Sequence, residues 1–100
     1  MVKHIILWTL KEEYSKERKK EIKLDIKEGL EGLKGIIPGL IDIRVIIEGL
    51  ESSNVDLMLD STFEDEGALK LYANHPAHVA VADGKVRPHT AARNCMDYEV

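Results

Sequence analysis

The chain opens on a hydrophobic run. Within residues 2–10, Ile5 to Trp8 are continuously apolar, which predicts a strand buried on both faces. The period then changes. Ile22, Ile26, Leu30, Leu33 and Ile37 recur three or four residues apart and predict one stripe of an amphipathic helix. Ser15 suits its N-cap, with Glu17 favourable in the first turn, and Gly35 suits its stop. Pro38-Gly39 fits the centre of a turn. Residues 40–48 alternate, with Ile41, Ile43, Val45 and Ile47 on one face and Asp42, Arg44, Ile46 and Glu48 on the other. Residues 49–54 are polar enough for a hairpin connection. In a third strand, Val55, Leu57, Leu59 and Phe63 face one way, and Asp56, Met58 and Asp60 the other.

Thr62 to Asp65 then carry a capping-box pattern ahead of a second helix, whose inner stripe is Leu69, Tyr72 and Ala73. Asn74 suits a left-handed close. His75 precedes proline and is pushed out of the helical region, while Pro76 suits the first position of a short helix running to about Val86. Pro88 ends that helix. Residues 91–99 form the last strand, alternating Ala92, Asn94, Met96 and Tyr98 with Arg93, Cys95 and Asp97.

The resulting order, β-α-β-β-α-β, predicts an α+β domain of the ferredoxin-like split βαβ type over residues 1–100. It is a four-stranded antiparallel sheet with the helices on one face. The other face mixes Lys3, Arg44, Asp56 and Asp60 with Ile5, Leu7, Ile46, Met58 and Met96. That mixture is too apolar for a free surface and too polar for a core, so a homodimer packing two such faces together is expected.

Composition narrows the setting. A chain that is 44% hydrophobic and 32% charged is an ordinary globular domain. The lone cysteine, Cys95, allows no intramolecular disulfide, which fits a reducing, cytoplasmic location. The N-terminal apolar run is too short for a signal peptide, and no stretch approaches the ~20 apolar residues of a membrane span. The net charge is −4, with the acidic excess concentrated after residue 36. No basic patch and no glycine-rich phosphate loop stand out, so no nucleic-acid partner is expected.

The richest chemistry lies in Tyr72-Ala73-Asn74-His75-Pro76-Ala77-His78. If Pro76 starts a helix, His75 is its N-cap and His78 sits in its first turn, where the helix dipole disfavours imidazolium. A neutral His78 can take a proton, and Tyr72 can offer a phenolic donor to the same space. Base and donor together suit proton abstraction next to a carbonyl, the donor stabilising the enolate. The same two residues can equally be packed, hydrogen-bonded core groups. His4 shares a strand face with Val2, Ile6 and Trp8 and enters the same space if that face meets the helices. His75-x-x-His78 is half a metal site without a matching pair of ligands, so neither metal nor cofactor is expected. Cys95 has no base nearby in sequence and reads as a small apolar residue.

Taken in order, Val2-Lys3-His4-Ile5-Ile6-Leu7, Ile37-Pro38-Gly39, Phe63-Glu64, Tyr72-x-x-His75-Pro76-x-His78 and Asp97-Tyr98 resemble the stress-responsive dimeric α+β barrel (Dabb) family along essentially the whole chain. The resemblance implies a ferredoxin-like protomer whose sheet pairs face to face with a second copy. Around Tyr72 to Val79 the chain is similar to the plant polyketide cyclases of that family. This implies Tyr72 as donor and His78 as general base in an aldol-type ring closure, with His4 and His75 as binding residues for a small-molecule ligand. Ile26 and Leu30 stand where the cyclase pocket carries aromatic residues, and Leu57 where it carries another histidine. Two functions are carried forward. One is a small-molecule-binding protein with cyclase- or lyase-like activity; the other is a non-catalytic, stress-associated structural dimer.

Overall fold

The computed structural model describes all 100 residues. Strand β1 (Val2–Leu10) leads to helix α1 (Lys16–Glu31), then strands β2 (Leu40–Ile46) and β3 (Leu57–Phe63). Helices α2 (Glu66–Asn74) and α3 (Pro76–Val81) follow, and α3 runs on through a π-helical turn at Ala82–Val86 and a 3-10 turn at Arg87–His89. Strand β4 (Thr90–Glu99) closes the fold. The sheet order is β2-β3-β1-β4, antiparallel throughout. The expected split βαβ is therefore present: β3 lies between β2 and β1, and the helices cover one face.

Alternation along β1 decides what the core contains. Val2, His4, Ile6, Trp8 and Leu10 are buried beneath the helices, while Lys3, Ile5, Leu7 and Thr9 are half-buried on the open face. Burial is thus complete on one face only, because no element of the chain covers the other. Strand β3 repeats the pattern, with Leu57, Leu59, Ser61 and Phe63 inward. Ser61 is tolerated there because its hydroxyl donates to the His4 carbonyl at 2.9 Å. Against these strands pack Ile22, Ile26 and Leu30 from α1 and Ala68 and Tyr72 from α2.

Local chemistry accounts for the boundaries. Ser15 Oγ accepts the Arg18 N–H at 3.1 Å and starts α1. The helix stops at Glu31, earlier than Gly35, although Leu33 and Ile37 stay buried in the turns that follow. At the Pro38-Gly39 turn the Leu40 N–H donates to the Ile37 carbonyl, with Gly39 at φ +83°. A Cβ on Gly39 would come within 2.5 Å of the Ala68 methyl, so both conformation and space require glycine.

Four further expectations are corrected. Ile41 is not on the buried face: a bulge places Leu40 opposite Phe63 and Asp42 opposite Thr62, leaving Ile41 as the extra residue and 41% exposed. Thr62 caps no helix, because β3 extends through it and its hydroxyl accepts from Lys3 Nζ at 3.0 Å; Asp65 is the N-cap, accepting the Ala68 N–H at 2.8 Å. Asn74 is not left-handed. Instead His75, extended ahead of Pro76, ends α2 and caps α3. Asp56 leaves the open face and clips the end of β1, its carboxylate accepting the Leu10 N–H at 2.7 Å and its own N–H donating to the Trp8 carbonyl at 2.9 Å.

Candidate active site

Strand β4 pairs with β1 along its length, yet almost all of it is exposed. The helices stop short of this edge. Arg93, Cys95 and Asp97 lie opposite Trp8, Ile6 and His4 and flank a cleft between β4 and α2. An outer cleft of about 740 Å³ is lined by His4, Lys70, Arg93, Cys95 and Asp97. A deeper cavity of about 200 Å³ reaches Trp8, Leu30, Tyr72 and His78. His4, Leu69, Ala73 and Arg93 border both.

Tyr72 and His78 meet in the deeper cavity. Their ring centroids are 4.1 Å apart and the planes are tilted by 36°. The helix break at His75-Pro76 brings them together, since it turns the first turn of α3 back over the last turn of α2. His78 Nδ1–H donates to the Ala73 carbonyl at 3.2 Å, which leaves Nε2 as the unprotonated nitrogen of the neutral ring. Burial holds the His78 pKa below the usual histidine value, against the opposing pull of the Ala73 carbonyl. The Tyr72 hydroxyl is buried and has no hydrogen-bond partner in the protein. Its pKa is pushed up by burial, so it stays a phenol and a donor.

His4 closes the same space from the sheet, edge-on to Tyr72 at 6.1 Å and to Phe63 at 6.2 Å. Its Nδ1–H donates to the Asp97 carboxylate. His75 lines neither cavity; its Nδ1 accepts the Ala77 N–H at 3.1 Å. Of the four histidines, His4 and His78 thus border the deeper cavity with Tyr72, and His75 shapes the turn that delivers His78.

Sequence reasoning missed Asp97, Arg93 and the surroundings of Cys95. Cys95 Sγ lies 3.8 Å from His4 Nδ1 and 3.5 Å from Asp97 Oδ1. Burial, and after it the Asp97 carboxylate, push the thiol pKa up, so this cysteine is no activated nucleophile. The signal was the two-residue period of β4, which puts Arg93, Cys95 and Asp97 on one face. The register that sets that face against His4 has no local mark in the sequence.

Four antiparallel strands in this order, under helices on one side only, define a ferredoxin-like α+β domain with a cleft at its β4 edge. The chain belongs to the Stress Responsive A/B Barrel Domain (Dabb) family, whose sequence model matches residues 2–100. It is similar to a dimeric protein of unknown function and ferredoxin-like fold from Bacteroides fragilis, at 31% identity over 99% of this chain and 95% of that one, with a TM-score of 0.92. A Dabb family protein with a ferredoxin-like fold from Mesorhizobium loti matches at 22% identity over 99% and 95% of the two chains, with a TM-score of 0.76. The hydroxynitrile lyase of Passiflora edulis shares the fold at 16% identity, covering 99% and 92%, with a TM-score of 0.73. No curated protein matches the chain. No helix is long and apolar enough to cross a membrane.

Proposed function

We propose that this chain acts as a cytoplasmic homodimer that binds a small carbonyl compound and catalyses a lyase- or cyclase-like reaction. His78 Nε2 takes a proton from the carbon next to the carbonyl. The C–H electron pair becomes the C=C bond of the enolate, the carbonyl π pair moves onto oxygen, and the Tyr72 hydroxyl donates a hydrogen bond to that enolate oxygen. In a cyclase-like reaction the enolate carbon then attacks a second carbonyl of the same molecule, forming the new ring bond as that carbonyl's π bond breaks. The alkoxide left on its oxygen takes the proton back from His78 Nε2. His4 walls the pocket, and His75 supports the turn that carries His78. The observation that carries this reading is the buried, unpartnered Tyr72 hydroxyl beside a histidine whose free nitrogen is fixed by the Ala73 carbonyl. A buried hydroxyl without a partner costs about 1–3 kcal/mol, a cost that a bound carbonyl oxygen removes.

The dimer is supported by the open face of the sheet, where Met96 and Tyr98 are 66% and 45% exposed. The similar B. fragilis protein is dimeric.

The test is hydrogen–deuterium exchange at the acidic carbon of small 1,3-dicarbonyl compounds in D2O, followed by NMR. The wild type is expected to accelerate exchange above buffer. His78→Ala should abolish the acceleration, and Tyr72→Phe should reduce it by about 100-fold. No acceleration with any compound, or equal acceleration by His78→Ala, overturns the proposal. The second reading, a non-catalytic stress-associated dimer, draws on the size of the deeper cavity. At about 200 Å³ it falls below the ~300 Å³ at which small-molecule pockets usually begin. That reading predicts no exchange, and a loss of stability in His78→Ala without any loss of binding.

A further inference from the structure

The outer cleft contains a cluster that the Tyr72–His78 chemistry does not use. His4 Nδ1, Cys95 Sγ and Asp97 Oδ1 lie within 4.8 Å of one another. Strand geometry sets them there: Cys95 and Asp97 are two residues apart on one face of β4, and Asp97 is directly opposite His4 on β1. Cysteine and carboxylate approach the same imidazole nitrogen. In a nucleophilic triad they would sit on opposite nitrogens, so this is not a triad.

We propose that His4, Cys95 and Asp97 form a three-ligand site for a divalent metal ion of the zinc type. Tetrahedral coordination with metal–sulfur and metal–nitrogen bonds of about 2.3 and 2.0–2.1 Å puts the ligand atoms about 3.6 Å apart for sulfur and nitrogen, and about 3.5 Å for sulfur and oxygen. The distances here are 3.8 Å from Cys95 to His4 and 3.5 Å from Cys95 to Asp97. With the ion in place, His4 Nδ1 and Asp97 Oδ1 part to about 3.3 Å. One soft sulfur, one imidazole and one carboxylate select zinc-like ions over magnesium or calcium, which favour oxygen ligands alone. His4 is buried and packs edge-on against Phe63 and Tyr72, which fixes one ligand in advance. The fourth position opens on the 740 Å³ cleft, leaving room for water or an anionic ligand within reach of Arg93.

Protons balance as follows. Cys95 releases its thiol proton to solvent, and the His4 ring proton moves from Nδ1 to Nε2 so that Nδ1 can ligate. Binding therefore liberates one proton per ion and strengthens with pH.

Zinc titration by calorimetry and Co²⁺ substitution by absorption test the site, using the full chain under reducing conditions. The wild type is expected to bind one ion per chain, and its cobalt form to show a thiolate-to-cobalt charge-transfer band. Cys95→Ser, at an exposed position, should fold normally, lose that band and weaken zinc binding by at least about 100-fold. Asp97→Asn should weaken it by about 10-fold or more. His78→Ala should leave zinc affinity unchanged, which separates this site from the proposed proton-transfer pair. No binding at 100-fold excess zinc overturns the proposal; so does a cobalt spectrum without the band, or equal zinc affinity in Cys95→Ser.

Discussion

Tyr72 stacks against His78 while its hydroxyl meets no protein acceptor. A tyrosine packed only for its ring gains nothing from an oxygen it cannot satisfy. Tyr72→Phe should therefore raise stability, by about 1 kcal/mol, even as it weakens enolate chemistry. For a domain of this size that is a gain of roughly 4–8 °C in Tm. A melt that falls instead would show the hydroxyl bonded within the fold, and Tyr72 would lose its standing as a free donor.

His78 makes stability depend on pH. The unfolded histidine takes up a proton near 6.5, while burial, opposed by the Ala73 carbonyl and reinforced by Arg87, His4 and Arg93, holds the folded one lower. Between those two values the unfolded state binds more protons. The contribution is therefore complete above pH 6.5 and is lost as the pH falls toward the folded value. Urea midpoints from pH 5 to 8 should show this slope in the wild type and a smaller one in His78→Gln. An identical slope in both assigns it to other groups.

His75 is a cap by geometry. Its Nδ1 accepts the Ala77 N–H at the start of α3. Asparagine caps helices well and alanine poorly, so His75→Asn should keep stability within about 0.5 kcal/mol and His75→Ala should lose about 1 kcal/mol. If His75→Asn folds as stably as the wild type yet loses small-molecule binding, the residue is a ligand contact as well.

The fold was legible because its signals are local and periodic. The β1 apolar run, the α1 stripe of Ile22, Ile26 and Leu30, the alternation in β3 and the His75-Pro76 break each follow from neighbours in sequence. The bulge at Ile41 was not legible, since a strand with one extra residue keeps its alternating composition while its register shifts. Thr62 misled for a similar reason: it has the chemistry of a cap, but its strand partners hold it in the sheet. In the site, Tyr72 and His78 were visible because one short turn joins them. The His4–Cys95–Asp97 cluster was not, because His4 lies more than ninety residues from Cys95 and Asp97 in sequence and meets them only through the β1–β4 register.

Glu31 and Lys27 close an exposed edge. Strand β2 is the last in the sheet, and Val45 turns its outer N–H and carbonyl away from β3. Glu31 accepts the Val45 N–H at 2.9 Å, and Lys27 donates to the Val45 carbonyl at 2.8 Å and to Glu31 at 2.8 Å. Burial alone would raise the Glu31 pKa, but the Lys27 and Val45 donors outweigh it and hold it below the usual glutamate value. The stabilisation is present above pH 4.5 and fades as the pH falls through the folded value. Glu31→Ala should cost about 1–2 kcal/mol at pH 7, measured by urea unfolding, and less at pH 3. An equal cost at both values would point to lost packing rather than the carboxylate.

The open face of the sheet provides the test of assembly. Ile5 lies across from Met96 on one side and Asp60 on the other; Leu7 is opposite Met58, and Met58 is opposite Ile46. Lys3 and Asp60 form an ion pair within this apolar field at 2.5 Å, and Arg44 approaches the same carboxylate at 3.8 Å. Two such faces in contact would bury the methionines, with the one Asp60 carboxylate shared between Lys3 and the largely exposed Arg44. A further cation opposite Ile5, with no carboxylate of its own, would not be tolerated there. Met96→Lys places an unpaired cation on each face of the dimer while leaving the monomer core untouched. Light scattering should give twice the 11.3 kDa chain mass for the wild type at micromolar concentration, and a shift toward the single-chain mass for Met96→Lys. Met96→Leu, which keeps the face apolar, should stay dimeric. A wild type that runs as a single chain would leave the mixed face unexplained and remove the dimer from the proposed function.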